Sequence, residues 1–400
     1  MRWVFEYKVS TKGVPIRADT FVDMSRPTIR SIPFSDWGLG LARPLMIAGP
    51  CSAESREQVL ETAEGIVRAV PQVKVLRAGA WKPRTRPGGF EGVGEGALPW
   101  LVEARERIGL LGMTEVATPQ HVEAALKSGI DMLWIGARTT PNPFAVQAVA
   151  DALAGTDIPV FVKNPVNPDL QLWIGALERL AAAGITRLAA IHRGFQWFGE
   201  SPYRNGPMWE FPIRLKAAFP QLELICDPSH IAGVPERLAE IAQQALDLNF
   251  SGLMVETHRN PAQAKSDAKQ QIDPHGLAEL LGGLVHRKAA AEPHLRDELQ
   301  EYRDLLDNLD EEIVRKLGAR MEVAARIGSF KQAHNVAILQ PEWWERVLRA
   351  RMALGTELGL SSRFVQAFMD AVHDESIRRQ TAVWDGVPDA SGTQGSLANS

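Results

Sequence analysis

Residues Met113–Ile135 read MTEVATPQHVEAALKSGIDMLWI. A short apolar run, Met113–Val116, passes through Pro119 into an amphipathic segment, Gln120–Lys127, and a second apolar run follows Gly129 at Met132–Ile135. Short apolar run, helix-length amphipathic stretch, short apolar run is the pattern of a strand–helix–strand unit. The pattern continues outward in both directions. Further runs lie at Leu45–Ala48, Val73–Leu76, Val160–Val162, Leu188–Ile191, Leu222–Ile225 and Leu253–Val255, eight in all. Helical segments such as Arg56–Ala69, Asp169–Ala183 and Pro235–Leu248 separate them, and Gly or Pro marks most joins. Strict alternation implies a parallel sheet. Eight units over residues 44–285 predict an α/β fold, a closed (β/α)8 TIM barrel.

The bulk numbers narrow the function. The 400-residue chain carries a formal net charge of -4, which argues against a nucleic-acid binder working by bulk electrostatics. No apolar run approaches the ~18 residues of a membrane span, and MRWVFEYKVS lacks the apolar core of a signal peptide. Two cysteines, Cys51 and Cys226, cannot make a disulfide framework. The expectation is a cytoplasmic protein with neither membrane nor nucleic-acid partners.

In such a barrel the strand C-termini carry the chemistry. The residues at or just past the runs are Cys51, Arg77, Glu115, Arg138, Lys163, His192 with Arg193, Asp227 with His230, and Glu256 with His258. The stretch LRAGAWKPRT, Leu76–Thr85, adds Lys82 and Arg84 to Arg77 with no acid between them. Arg presents a bidentate fork to phosphate or carboxylate. Six rim cations, namely Arg77, Lys82, Arg84, Arg138, Lys163 and Arg193, are too many for one phosphate. They fit two phosphorylated substrates, or one phosphorylated and carboxylated substrate plus another phosphate. Cys51, His230, Glu256 and Asp267 have metal-ligand chemistry, and one thiolate, one imidazole and two carboxylates suit a divalent first-row ion such as Mn, Fe, Co or Zn. Each of the four taken alone also reads as structural. Cys226, inside a strand, reads as core.

Residues 1–43 precede the barrel, and the alternation in Trp3–Val9 predicts a strand or hairpin at its bottom. Composition shifts after Val285. Residues 286–293 read as a linker and 294–383 as an all-α domain of three helices. The first is long, with apolar residues at helical spacing from Leu299 to Ile327 and no proline between His294 and Gln340; the others fit Glu342–Leu358 and Ser362–Ala382. Residues 384–400 read as a disordered tail by composition. On the first helix, Arg303 and Arg320 are about 25 Å apart and project about 100° from each other. Arg320 and Lys331 share a face. If all three serve one ligand, Arg303 comes from another chain, and a helix this long is not buried by two short partners. Both points predict an intertwined homodimer.

The motifs GPCS (Gly49–Ser52), KPRT (Lys82–Thr85), IGAR (Ile135–Arg138), HRG (His192–Gly194), DPSH (Asp227–His230), VETH (Val255–His258) and SDAKQ (Ser266–Gln270), with the strand-end Lys163, resemble 3-deoxy-D-arabino-heptulosonate 7-phosphate (DAHP) synthase in order along the barrel. The resemblance is closest to the compact subfamily without long barrel insertions. It implies condensation of phosphoenolpyruvate with erythrose 4-phosphate, the entry step of the shikimate pathway. It assigns Cys51, His230, Glu256 and Asp267 to the metal, and Arg77, Lys82, Arg138, Lys163 and Arg193 to phosphoenolpyruvate. It assigns Lys82, Pro83, Arg84 and Thr85 to erythrose 4-phosphate. The sister octulosonate-phosphate synthases, which take a five-carbon sugar phosphate, typically carry an Asn-containing loop where KPRT stands here.

Leu299–Lys331 and the four-residue spacing of Ser376 and Gln380 resemble the all-helical chorismate mutases. That resemblance implies rearrangement of chorismate to prephenate. Arg303 of the partner chain, Arg320 and Ser376 would bind carboxylates, while Lys331 and Gln380 donate to the ether oxygen. Positions that hold Asp, Arg and Glu in many relatives fall here on Gln340, Trp343 and Trp344, with Arg346 one turn from Trp343. A bifunctional enzyme is the leading expectation. The other reading is a monofunctional synthase whose helical domain senses prephenate or chorismate and dimerises.

Overall fold

Eight parallel strands pair in chain order and close, β1 against β8, into a barrel. They are β1 Leu45–Gly49, β2 Val75–Arg77, β3 Leu111–Val116, β4 Met132–Ile135, β5 Val160–Lys163, β6 Leu188–His192, β7 Glu223–Cys226 and β8 Gly252–Glu256. The computed structural model describes residues 29–82, 88–197, 199–287 and 293–386. The chain divides into two units, Met1–Ala289 and Ala290–Ser400.

The connecting helices are α1 Arg56–Ala69, α2 Leu98–Ile108, α3 Pro119–Ser128, α4 Pro143–Leu153, α5 Leu170–Ala182, α6 Glu210–Ala218, the short α7 Pro228–Ala232, α8 Leu238–Asp247 and α9 Pro274–Gly282. The segment expected to be helical from Pro235 starts as a 3-10 turn, Pro235–Arg237, before α8. Many of these helices start at a side-chain cap: Ser55, Thr118, Asn142, Asp169, Asp227 and Asp273 each accept a backbone N–H of the first turn.

Alternate strand residues face opposite sides. Ile47, Val75, Met113, Trp134, Phe161, Ile191, Ile225 and Met254 fill the barrel interior. Ala48, Leu76, Leu133, Val162, Ala190, Cys226 and Leu253 belong to the core beneath the helices. The bottom is closed by a 3-10 turn, Phe34–Trp37. Phe34 meets Trp37 edge-on at 4.8 Å, and Trp37 meets Phe161 at 5.5 Å. The buried Glu223 accepts from Phe34 N (3.0 Å) and Arg43 Nε (2.8 Å), which fastens this turn to the start of β7. The strand expected at Trp3–Val9 lies outside the described residues, as do most of the linker and the tail beyond Gly386.

The second unit holds α10 Pro293–Ala333, α11 Pro341–Glu357 and α12 Ser362–Trp384. Helix α10 stops short of Gln340, and Asn335 takes a left-handed φ of 53° just after it. Its C-terminal half packs on α12 through the buried Met321, Ala324, Val365, Met369 and Val372. Residues 295–316 are all exposed, among them Leu306 at 60% and Val314 at 66%.

Candidate active sites

The inward parity of the strands carries ionisable side chains to the C-terminal rim. Arg77 at the end of β2 is buried, 3.1 Å from Glu256 Oε1 at the end of β8. It donates to the Cys51 carbonyl (3.1 Å) and lies 4.9 Å from the centre of the Trp134 ring. Gly49 permits the close approach of the β1 and β2 backbones here: its φ is 145°, and a Cβ there would fall 2.2 Å from the Arg77 carbonyl oxygen. Lys163 at the end of β5 pairs with the buried Asp227 at 2.8 Å. Asp227 also caps α7, accepting from His230 N (3.1 Å), and the cap with Pro228 in the first turn sets His230 beside the rim. Burial opposes the Asp227 charge, but His230, Lys163 and Arg77 hold its carboxyl well below the usual range.

Donor atoms of Cys51, Glu256 and Asp267 all lie within 4.8 Å of one another. His230 Nε2 is 3.8 Å from Glu256 Oε1, and its Nδ1 is 2.8 Å from Asp227. Asp267 adopts a left-handed φ of 47°, a conformation Asp tolerates. The buried Glu256 Oε1 faces Arg77 but makes no hydrogen bond. Burial, with Glu256 next, pushes the Cys51 thiol up to about 12, so cation binding there is coupled to proton release. A soft sulfur and hard oxygens, mostly buried, with an imidazole at the edge, fit a divalent first-row cation.

Above this cluster opens a cavity of about 340 Å³, lined by the cations Lys82, Arg138, Lys163, Arg193 and Arg204 and the acids Glu115 and Asp267. Lys82 Nζ donates to Cys51 O and approaches Cys51 Sγ, both at 3.1 Å. Arg77, expected on the wall, lies behind it and braces Glu256. Pro83, Arg84 and Thr85 fall outside the described residues. His192 and His258 do not join the site. His192 faces outward among Trp173, Phe195, Trp209 and Phe250, where burial pushes it down to about 3. His258 is buried near Glu54.

Sequence reading missed Arg204, Asn205 and Trp134. Asn205 accepts from Arg193 Nη1 (2.7 Å) and donates to the His230 carbonyl (2.6 Å). Arg204 pairs with Asp267 at 3.0 Å. Both sit in the long connection between β6 and α6, whose length was the available signal. Trp134 read as strand core, yet its indole donates to Glu115 (3.1 Å) and lies beside Arg77 and Lys163.

The second unit has a cavity of about 400 Å³ that brings together Arg320, Lys331, Ser376 and Gln380. Arg320 donates to Ser376 Oγ, and Lys331 donates to the Ile338 carbonyl (2.6 Å). Gln380 Oε1 is buried with no partner. Gly328 permits the close crossing of α10 and α12, since a Cβ there would fall 2.9 Å from Gln380 Cα. Gln340 and Trp343 also line the cavity, as does His373, which sequence reading missed. Trp344 instead stacks on His373. Arg303 lies in the exposed first half of α10 and does not reach this cavity within one chain.

A closed barrel with a cation-lined cavity over a mixed sulfur and oxygen donor set defines a (β/α)8 enzyme for anionic substrates. Residues 37–289 match the DAHP synthetase I family, and residues 302–381 match chorismate mutase type II. The phospho-2-dehydro-3-deoxyheptonate aldolase of Thermotoga maritima is 32% identical over 250 residues, covering 62% of this chain and 71% of that protein. A 2-dehydro-3-deoxyphosphooctonate aldolase of Paraburkholderia xenovorans is 27% identical over 278 residues, covering 62% of this chain and 93% of that protein. The crystal structure of the Thermotoga maritima DAHP synthase aligns with a TM-score of 0.55 at 29% identity, over 68% of this chain and 73% of that one. The chain belongs to the DAHP synthetase I family. With its chorismate mutase type II domain it is a bifunctional shikimate-pathway enzyme, a transferase joined to an isomerase.

Proposed function

We propose that the barrel cavity holds phosphoenolpyruvate on Lys82, Arg138, Lys163 and Arg193, with Arg77 supporting from behind. Lys82 sits at the seam with erythrose 4-phosphate, whose phosphate falls to the loop of Pro83, Arg84 and Thr85. C3 of phosphoenolpyruvate forms the new bond to the aldehyde carbon. Water adds at C2, the C–O bond to phosphorus breaks on the carbon side, and phosphate leaves. Asp227 fixes the Lys163 ammonium against the bound anion, so its position is set before substrate arrives. Cys51, His230, Glu256 and Asp267 would hold a divalent ion, Mn, Co, Fe or Zn, which supplies Lewis-acid stabilisation to the aldehyde oxygen when bound.

What supports this reading is the convergence of that donor set and five cations on one rim. The test is consumption of phosphoenolpyruvate by the intact chain with erythrose 4-phosphate and, separately, with a five-carbon sugar phosphate, with and without chelator. Turnover should need the four-carbon sugar, stop in chelator and return with Mn or Co. Full activity in a Cys51→Ala protein would refute the ligand assignment.

In the helical unit, Arg320 and Ser376 bind carboxylates, and Lys331 and Gln380 donate to the ether oxygen as its C–O bond breaks. Arg303 enters from a second copy in a homodimer built on α10, whose exposed leucines supply the apolar surface. Mixing inactive Arg303→Ala and Arg320→Ala chains should restore turnover, because a mixed dimer contains one site with neither change. We read residues 44–285 as the synthase domain and 294–383 as the mutase domain. The helical unit is also the natural sensor for feedback by prephenate or chorismate, which predicts a lower synthase rate when prephenate is added. Two free buried cysteines, and the absence among the described residues of any helix long and apolar enough to cross a membrane, are consistent with work in the cytoplasm.

A further inference from the structure

In the reading above, Arg320, Ser376, Lys331 and Gln380, with Arg303 of a second copy, account for the two carboxylates and the ether oxygen of chorismate. The substrate also has a ring hydroxyl, which both donates and accepts. Enclosing a hydroxyl without a partner is costly. The other polar side chains on the cavity wall are Gln340, Trp343 and His373. An indole only donates. Gln340 stands before α11, caps it with no side-chain bond and is exposed, so its long amide has rotamer freedom to lose.

His373 is different. It lies one turn before Ser376 on α12, hence on the same face. Its ring stacks on Trp344 of α11, with centroids 3.9 Å apart and planes 12° from parallel. The indole covers one face and fixes the ring plane, so the ring edge is presented without further ordering. Burial holds the imidazole below its ordinary pKa; Asp374 and Asp370 oppose the shift, and Arg320 and Lys331 offset part of that opposition. At neutral pH it is uncharged, with one N–H donor and one acceptor nitrogen, the complement of a hydroxyl.

We propose that His373, clamped by Trp344, holds the ring hydroxyl of the substrate and is a specificity-determining residue of the mutase reaction. The inference rests on the reading of this cavity as the chorismate site.

The test uses the intact chain, chorismate, and an analogue with hydrogen in place of the ring hydroxyl. His373→Phe keeps an aromatic ring against Trp344 but has no polar edge. It should lower kcat/KM for chorismate roughly tenfold to a hundredfold, mostly through KM, and change the analogue less than about threefold. His373→Gln should regain part of the preference. Equal losses on both substrates would mean a packing role and overturn the proposal. So would a Gln340→Ala chain that loses the preference while His373→Phe keeps it. If the Phe variant does not fold, steady-state kcat/KM of wild type and His373→Leu on the two compounds reads the same preference. A wild-type chain that neither binds nor converts chorismate would remove the underlying reading as well. Normal turnover with an unaltered preference in His373→Phe removes this inference alone.

Discussion

The barrel and the helical unit both set cations around a cavity, but they balance charge in opposite ways. In the barrel, Arg77, Lys163 and Arg204 each face a carboxylate, at 3.1, 2.8 and 3.0 Å. In the helical unit, Arg320 and Lys331 meet only neutral oxygens, from Ser376, the Val372 carbonyl and the Ile338 carbonyl. No carboxylate lines that cavity among the described residues. Buried charges need partners. The barrel rim is mostly buried, so its cations and acids brace one another and hold their geometry. The helical cavity keeps two cations without carboxylate partners, which leaves their charge available to an anionic ligand. The units also differ in closure: the barrel has no sheet edge, whereas half of α10 is exposed.

The largest effect tests whether balance in the barrel matters. Lys163→Met leaves Asp227 buried without its ammonium and removes a cation from the cavity. Synthase turnover should fall by about a thousandfold while mutase turnover is unchanged. Equal loss of both activities in steady-state assays would break the claim that the two charge systems work separately. The reciprocal change, Arg320→Ala, should lower mutase kcat/KM by about a hundredfold or more and spare the synthase.

A smaller effect sharpens the difference in closure. Leu309→Glu puts a charge on the exposed apolar stripe of α10. Light scattering should show a smaller assembly, with mutase activity down about tenfold and rising again at high protein concentration. A chain of unchanged mass and activity would mean that this stripe is not the contact.

The smallest effect at neutral pH concerns His192 in the barrel wall. Burial lowers it from an ordinary 6.5 to about 3 in the folded state. Between those values the unfolded chain binds the extra proton and the folded chain does not. Stability is therefore full above about pH 6.5 and falls as the pH drops toward 3. His192→Gln should flatten that acid limb of barrel melting temperature and leave the curve at pH 7 nearly in place. An unchanged acid slope would show that other groups set it.

These contrasts were unequally legible. Helix α1 was readable to the residue as Arg56–Ala69, and β4 as Met132–Ile135, because apolar periodicity is a local property. Cys51, His230, Glu256 and Lys163 emerged from counting strand ends; Asp267, in the connection after β8, did not. Arg204 and Asn205 did not, because their place depends on how the connection after β6 folds back over the rim. Arg77 was legible as a rim cation but not as a brace behind Glu256.

By itself, then, the sequence determined the alternation of strand and helix, hence a barrel with chemistry at one rim, and three helices with Arg320 and Lys331 on one face. Tertiary structure decided which ionisable groups meet. Neighbours His192 and Arg193 part because strand parity turns one toward the helices and the other toward the cavity. His373 lines the second cavity on the same face of α12 as Ser376, and only the packing of α11 lays Trp344 against it. Periodicity is written in adjacent residues, whereas pairing between distant side chains exists only after the chain has closed on itself.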